Sequence, residues 1–402
     1  MDGMEKRKLY ITNGKVITPQ GILENATVII DGEIISEVGK DLSLPAGAER
    51  IDAQGQYVSP GFIDIHIHGG GGYDFMDGDV FSFLQIASTH ARFGTTLMMP
   101  TTLSGSREEL INTLEAYLSA DKKNDSGSRF AGMHLEGPYF AMNQRGAQDP
   151  RYIRNPDPAE YIPIVEKYPF IKRWSAAPEL PGAIEFARHM KSRGILPALA
   201  HTDAVYEEVL KGFEAGYTLA THLYSGMSGV TRRNAFRYAG VIESAFIIDE
   251  MDVEIIADGV HLPFPFLKLI YKIKGPDRIA LVTDAMRAAA LPPGESILGS
   301  RANGLKVIVE DGVAKLPDRS SFAGSVATAD RLVRTMIREA GVSLSDAIHM
   351  ITATPARILG VQHQTGSITP GKLADITIFD ENISVTTTIV NGRVVFSRPH
   401  RS

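Results

Sequence analysis

Cysteine is absent from all 402 residues. Its absence excludes disulfides and any thiolate-bound metal, so a metal site here has to be assembled from histidine, aspartate and glutamate. Long apolar runs are missing as well. No window holds 18 uncharged apolar residues in a row, and the opening "MDGMEKRKLY" has no apolar signal-like stretch, which together predict a cytoplasmic protein without membrane spans. There is no excess of basic residues: 41 Lys and Arg stand against 47 Asp and Glu, for a net charge of -6, and the cations are scattered. That distribution argues against nucleic acid or an anionic membrane as partner and leaves a small soluble molecule as the expected one. What remains is the composition of a globular protein, 44% hydrophobic and 22% charged, with enough chain for one large core or two domains.

The first sixty residues read as short β pieces, "LYITNGKVIT", "ATVIIDGEIISEVG" and "QYVSPG", with Asn-Gly and Asp-Gly as hairpin signals. The C-terminal "ADITIFDENISVTTTIVNGRVVFS" has the same style, with a turn expected at Asn391-Gly392. Two such segments at opposite ends predict one small β-sandwich domain, residues 1–59 and 362–402, with 60–361 inserted as a second domain. In that middle part, helical stretches such as "REELINTLEAYLSA" alternate with eight short buried strands: "GFIDIHIH", "TTLMMPT", "FAGMHLE", "IKRWSAAPE", "ILPALAH", "YTLATH", "VEIIAD" and "RIALVTD". Eight β/α units predict a TIM (β/α)8 barrel in an α/β protein. A doubly wound sheet is the alternative, but it uses fewer strands, and no G-x-G-x-x-G follows the first strand.

Barrel active sites sit at the C-terminal ends of the strands. Standing there are His66 and His68, Glu136, His201, His222, Asp258 with His261, and Asp284. Each alone has a plain explanation: a packed core histidine, a surface carboxylate, or, for Asp284, a helix N-cap. Their recurrence at matching positions of successive units favours a shared site. Three His or carboxylate ligands with one open position form the usual layout of a catalytic divalent metal. Glu136, His201 and His222 suit that set. His66 and His68 share one strand face and make a second ion possible, with Glu136 able to bridge. Asp284 is placed to carry a proton between water and a leaving group. The chemistry indicated is metal-assisted hydrolysis of a C–N or C–O bond. Trp174 and methionines such as Met98 and Met99 are expected in the core.

The motifs "PGFIDIHIHG", "GMHLEGPYF", "LAHTDA", "ATHLYSGM", "IIADGVHLP", "LVTDAM" and "FAGS" resemble, in order, those of the amidohydrolase superfamily and within it the N-acetylglucosamine-6-phosphate deacetylases. The resemblance runs over essentially the whole chain. It implies metal ligands Glu136, His201 and His222, with His66 and His68 for a second ion, and Asp284 as catalytic acid and base. It implies sugar and phosphate contacts from Ala147 and Gln148, Ser225 and Gly226, and Arg233, the pocket being completed by Asp258 and His261 and by Phe322, Ala323 and Gly324. One or two divalent ions (zinc, iron, manganese or cobalt) and a homodimer with the phosphate end of the pocket near the interface follow from the same resemblance. Three departures touch substrate contacts: Gln148 stands where histidine is usual, Ser225-Gly226 replaces Asn-Ala, and "TRRNAFRYAG" replaces the common run, making Arg232 and Arg237 rivals of Arg233 for the phosphate. The implied reaction is deacetylation of N-acetylglucosamine-6-phosphate. Alternatives are the same reaction on N-acetylgalactosamine-6-phosphate or another N-acetyl hexosamine phosphate, and a catalytically inactive amidohydrolase-like binding protein.

Overall fold

The computed structural model describes residues 8–398. The outer ends of the expected small domain, residues 1–7 and 399–402, therefore lie outside the described residues, as does the side chain of Arg233.

Strands from both ends of the chain share one eight-stranded sheet. Ile376–Phe379 pairs antiparallel with Tyr57–Pro60, which lies parallel to Lys8–Thr18, so the seam between the two ends is a continuous ladder. Leu9, Ile11, Val28, Ile30, Val58, Ile376 and Ile378 pack on one another in an apolar cluster of this sheet. The Asn391-Gly392 turn is present, with both residues at positive φ as a type I′ turn requires. Asn13-Gly14, by contrast, does not reverse the chain. Asn13 adopts a φ of 56° inside the strand at a register shift, and a Cβ on Gly14 would stand 2.5 Å from the Val58 side chain, so the glycine serves a bulge and a close approach. The reversal comes later, at Pro19-Gln20 between Thr18 and Gly21.

Each of the eight expected positions in the middle region carries a parallel strand: Phe62–Ile67, Thr95–Pro100, Met133–Glu136, Ile171–Ala176, Leu196–Leu199, Leu219–Ala220, Asp252–Ile255 and Ile279–Leu281. The first two form a three-stranded parallel sheet with the short Arg129–Phe130, and the other six form a second sheet in chain order. A parallel bridge from Thr101 to His134 links the sheets at one seam. At the other seam Asp284 N–H donates to the His66 carbonyl and His68 N–H to the Ala285 carbonyl, both at 2.9 Å. The result is a barrel-like parallel arrangement with helices between strands. Among these, Arg107–Lys123 starts with a Ser106/Glu109 capping box, as the "SREE" stretch dictates.

One element went unread in the sequence: a four-stranded antiparallel sheet spanning Gly294–Leu298 to Phe322–Ser325, inserted after the eighth parallel strand. Its last strand bonds to the Asp284 segment, Ser325 N–H donating to the Asp284 carbonyl at 2.8 Å, and this brings Phe322 and Gly324 to the strand ends. Among the described residues no helix is long and apolar enough to cross a membrane.

Candidate metal centre

His66 lies within the first parallel strand with His68 just after it, and Glu136 ends the third. His201, His222 and Asp284 follow the fifth, sixth and eighth strands by two or three residues. The last three occupy positive φ, at 47°, 30° and 46°, a region non-glycine residues enter at a cost. The backbone thus bends inward at three separate strand ends, turning the side chains to one point.

That point is Glu136. Its Oε1 is 3.0 Å from His222 Nε2, 3.4 Å from His201 Nε2 and 3.5 Å from His66 Nε2, while Oε2 is 3.4 Å from His68 Nε2. Asp284 Oδ1 lies 3.1 Å from His68 Nε2 and 3.5 Å from His66 Nε2. All are buried. Two overlapping groups emerge that can hold a metal ion, His66–His68–Glu136 and Glu136–His201–His222, with Glu136 common to both.

The donor set fits a metal on two counts. Bonds of about 2.0–2.1 Å from a tetrahedral ion place its ligand atoms roughly 3.3 Å apart, which is the spacing found here. The imidazoles are also oriented for it. His201 Nδ1 faces the Gln144 carbonyl at 2.8 Å, His68 Nδ1 the Thr101 carbonyl at 3.3 Å, and His66 Nδ1 the Glu254 carboxylate at 3.2 Å. Because those partners only accept, each Nδ1 carries a proton, and each Nε2 is left to offer a lone pair to the site when its ring is neutral. His222 presents Nε2 as well, its buried Nδ1 having no partner among the described residues.

The electrostatics favour positive charge at this point. Burial opposes protonation of His66, yet Glu136, Glu254 and Asp284 outweigh it and push its pKa up to about 10. Burial likewise opposes ionisation of Glu136 and Asp284, but the surrounding imidazoles hold both below the ordinary carboxylate range. A bound divalent ion satisfies the same carboxylates with the imidazoles neutral.

A cavity of about 300 Å³ opens over the cluster. Its lining includes His68, Glu136, His201, His222 and Asp284 and, from the expected substrate contacts, Ala147, Gln148, Ser225, Gly226, His261, Phe322 and Gly324. Ala323 is buried outside the lining, and so is Asp258, whose Oδ2 accepts from His261 Nδ1 at 2.8 Å and so fixes that ring. Gly226 is at φ 59°, where a Cβ would press within 2.7 Å of His201 Nδ1, so the glycine lets the loop lie against the His201 ring. Among the described lining residues there is no lysine or arginine. Arg232 and Arg237 face each other across an exposed two-stranded hairpin, Thr231–Arg233 with Phe236–Tyr238, whose backbone Arg233 shares.

Three residues act here beyond what the sequence suggested. Gln148, expected as a substrate contact, also donates from Nε2 to Glu136 Oε2 at 2.8 Å, its amide orientation set by Oε1 accepting from Ser104 N–H at 2.8 Å. Arg173 and Glu254, both fully buried, pair beneath the cluster. The available signal for the last two was a charged residue flanked by apolar neighbours inside a short strand, Arg173 before Trp174 in "IKRWSA" and Glu254 between Val253 and Ile255 in "DVEI".

The amidohydrolase family model matches residues 57–395, and the NagA composite domain matches residues 10–58. An N-acetylglucosamine-6-phosphate deacetylase of Haemophilus influenzae is 30% identical over 390 residues, covering 96% of this chain and 99% of that protein. An N-acetylgalactosamine-6-phosphate deacetylase of Escherichia coli O157:H7 is 30% identical over 381 residues, covering 94% and 97%. Among solved structures, N-acetylglucosamine-6-phosphate deacetylase from Pasteurella multocida superposes with a TM-score of 0.90 at 28% identity, over 96% of this chain and 99% of that one.

Proposed function

The chain belongs to the amidohydrolase family, and from that premise we propose that it is a divalent-metal-dependent deacetylase converting N-acetylglucosamine-6-phosphate and water to glucosamine-6-phosphate and acetate in amino-sugar catabolism. The observation that carries this reading is the convergence of four imidazole Nε2 atoms on one carboxylate, next to Asp284, beneath a cavity of about 300 Å³.

Glu136, His201 and His222 would hold one ion, and His66 and His68 with Glu136 a second. Such an ion (zinc, iron, manganese or cobalt) supplies Lewis acidity toward the acetyl carbonyl and lowers the pKa of water. Asp284, whose carboxyl the imidazoles of the metal-free site hold below its ordinary range, takes the proton of the attacking water and returns it to the leaving nitrogen as the C–N bond breaks. Gln148 holds Glu136 in its orientation, and His261, anchored by Asp258, lines the cavity. The phosphate is assigned to Arg233, with Arg232 and Arg237 beside it. The hairpin carrying them follows the Ser225-Gly226 loop in the chain, and a guanidinium fork matches phosphate oxygens.

Residues 60–361 are read as a closed (β/α)8 barrel and 1–59 with 362–402 as a small β-sandwich domain. Support comes from the hydrogen bonds at both seams and from the separate apolar cluster of the terminal sheet. A phosphorylated sugar as substrate suits a cytoplasmic site of action.

Acetate release measured on metal-loaded protein with the two epimeric N-acetylhexosamine 6-phosphates tests the substrate. Faster release from the gluco epimer is expected. Preference for the galacto epimer would move the assignment to that sugar, and no acetate from either would leave a binding protein.

A homodimer is part of the proposal. Phe266, Leu269 and Ile273 leave an apolar stripe exposed on the helix Phe264–Lys274, Ile247 is exposed on the helix before it in the chain, and Phe236 is 73% exposed on the arginine hairpin. We take the exposed apolar stripe of the helix Phe264–Lys274 as the interface. The double variant Leu269→Asp/Ile273→Asp should run as a monomer in light scattering where the wild type runs at twice the chain mass; an unchanged mass would remove this face as the interface.

A further inference from the structure

Arg173 and Glu254 are each fully buried, on the fourth and seventh parallel strands, and pair with one another inside the barrel-like core. Arg173 Nη2 also donates to Glu254 Oε2 at 3.0 Å. A buried ion pair is a weak source of stability, because desolvating two charges offsets most of their attraction. Its presence needs another reason.

The reason lies in its remaining bonds, which go to the strands bearing candidate ligands. Glu254 Oε2 accepts from His66 Nδ1 at 3.2 Å and, at a longer 3.4 Å, from the backbone N–H of His222. Arg173 donates to the Ile65 carbonyl at 3.3 Å and to the Thr221 hydroxyl at 2.7 Å, the residues directly before His66 and His222. His68 and His201 rest their Nδ1 atoms on neutral carbonyls, whereas His66 rests on a carboxylate.

We propose that the Arg173–Glu254 pair is a positioning device for the second metal position. Glu254 takes the Nδ1 proton of His66 as a hydrogen bond, fixes the ring with Nε2 toward Glu136 and Asp284, and makes that imidazole the more basic ligand; Arg173 holds the carboxylate in place. Carboxylate–imidazole pairs of this type orient metal ligands, and losing one weakens metal binding about 10–100-fold. The inference rests on the reading of His66 and His68 as ligands.

Zinc titration of metal-free protein, with bound zinc counted by elemental analysis, tests it. Three variants are compared with the wild type. Arg173→Met/Glu254→Met removes the acceptor without leaving a lone buried charge, Glu254→Gln keeps an acceptor oxygen but not the charge, and His66→Asn/His68→Asn removes the ligands themselves. The wild type should bind two ions per chain. The Met/Met variant should bind the second ion about 10–100-fold more weakly and the first with a smaller loss, since the pair also touches Thr221 and the His222 backbone, with Glu254→Gln in between. Equal weakening of both ions, or none, in Met/Met and in Glu254→Gln overturns the positioning role while leaving the two-ion reading intact. Wild-type zinc content in His66→Asn/His68→Asn sinks the two-ion reading, and this inference with it.

Discussion

Replacing Asp284 by asparagine is expected to lower turnover by about 10²–10⁴-fold, the usual effect of removing a general acid and base. The substitution isolates the chemistry. Asp284 sits at φ 46°, and asparagine is among the side chains that tolerate left-handed backbone best, so the strand end keeps its shape. The amide cannot take the proton of water or give one to the departing amine. Binding of metal by Glu136, His201 and His222 should persist, because none of the close contacts among those three passes through Asp284. Single-turnover acetate release together with metal analysis separates the two quantities. Wild-type turnover in a metal-loaded Asp284→Asn protein would remove Asp284 from the mechanism.

A second variant should fail in a different way. Glu136→Gln is expected to abolish both metal positions together, since one carboxylate faces His201, His222 and His66 from Oε1 and His68 from Oε2. The replacement removes the anion that four imidazole nitrogens share and turns an amide N–H₂ toward lone pairs that need a cation. Losing the Lewis acid costs several kcal/mol of transition-state stabilisation, about 10³-fold or more in rate at roughly 1.4 kcal/mol per decade. Elemental analysis should find less than one ion per chain. Normal metal content in this variant would show that Glu136 is not the shared ligand.

The eight parallel strands could be read because most are short apolar runs bounded by glycine, proline or charge, and because helical periodicity separates them. His66, His68, Glu136, His201, His222 and Asp284 could be read because they recur at the same end of successive units. What escaped reading depends on partners far apart in the chain. Arg173 and Glu254 are 81 residues apart, and only the curvature that brings strands four and seven face to face makes them a pair. Gln148 announces itself as a loop residue; its bond to Glu136 depends on the Ser104 N–H that turns its amide. Asn13-Gly14 carries the sequence of a turn, but pairing on both sides of its strand kept the chain extended and left the glycine a bulge. The inserted antiparallel sheet was legible in principle, since "LKVIVE" alternates as a strand should, but its strands lie beyond the repeating βα units.

The left-handed backbone at His201, His222 and Asp284 sets this protein's evolution at odds with itself. Each such residue costs on the order of 1 kcal/mol relative to glycine at the same angles. A population selected for heat resistance alone, with no demand for turnover, would therefore drift toward glycine at positions 201, 222 and 284. The lineages that best survived heating would be those that had discarded the reaction.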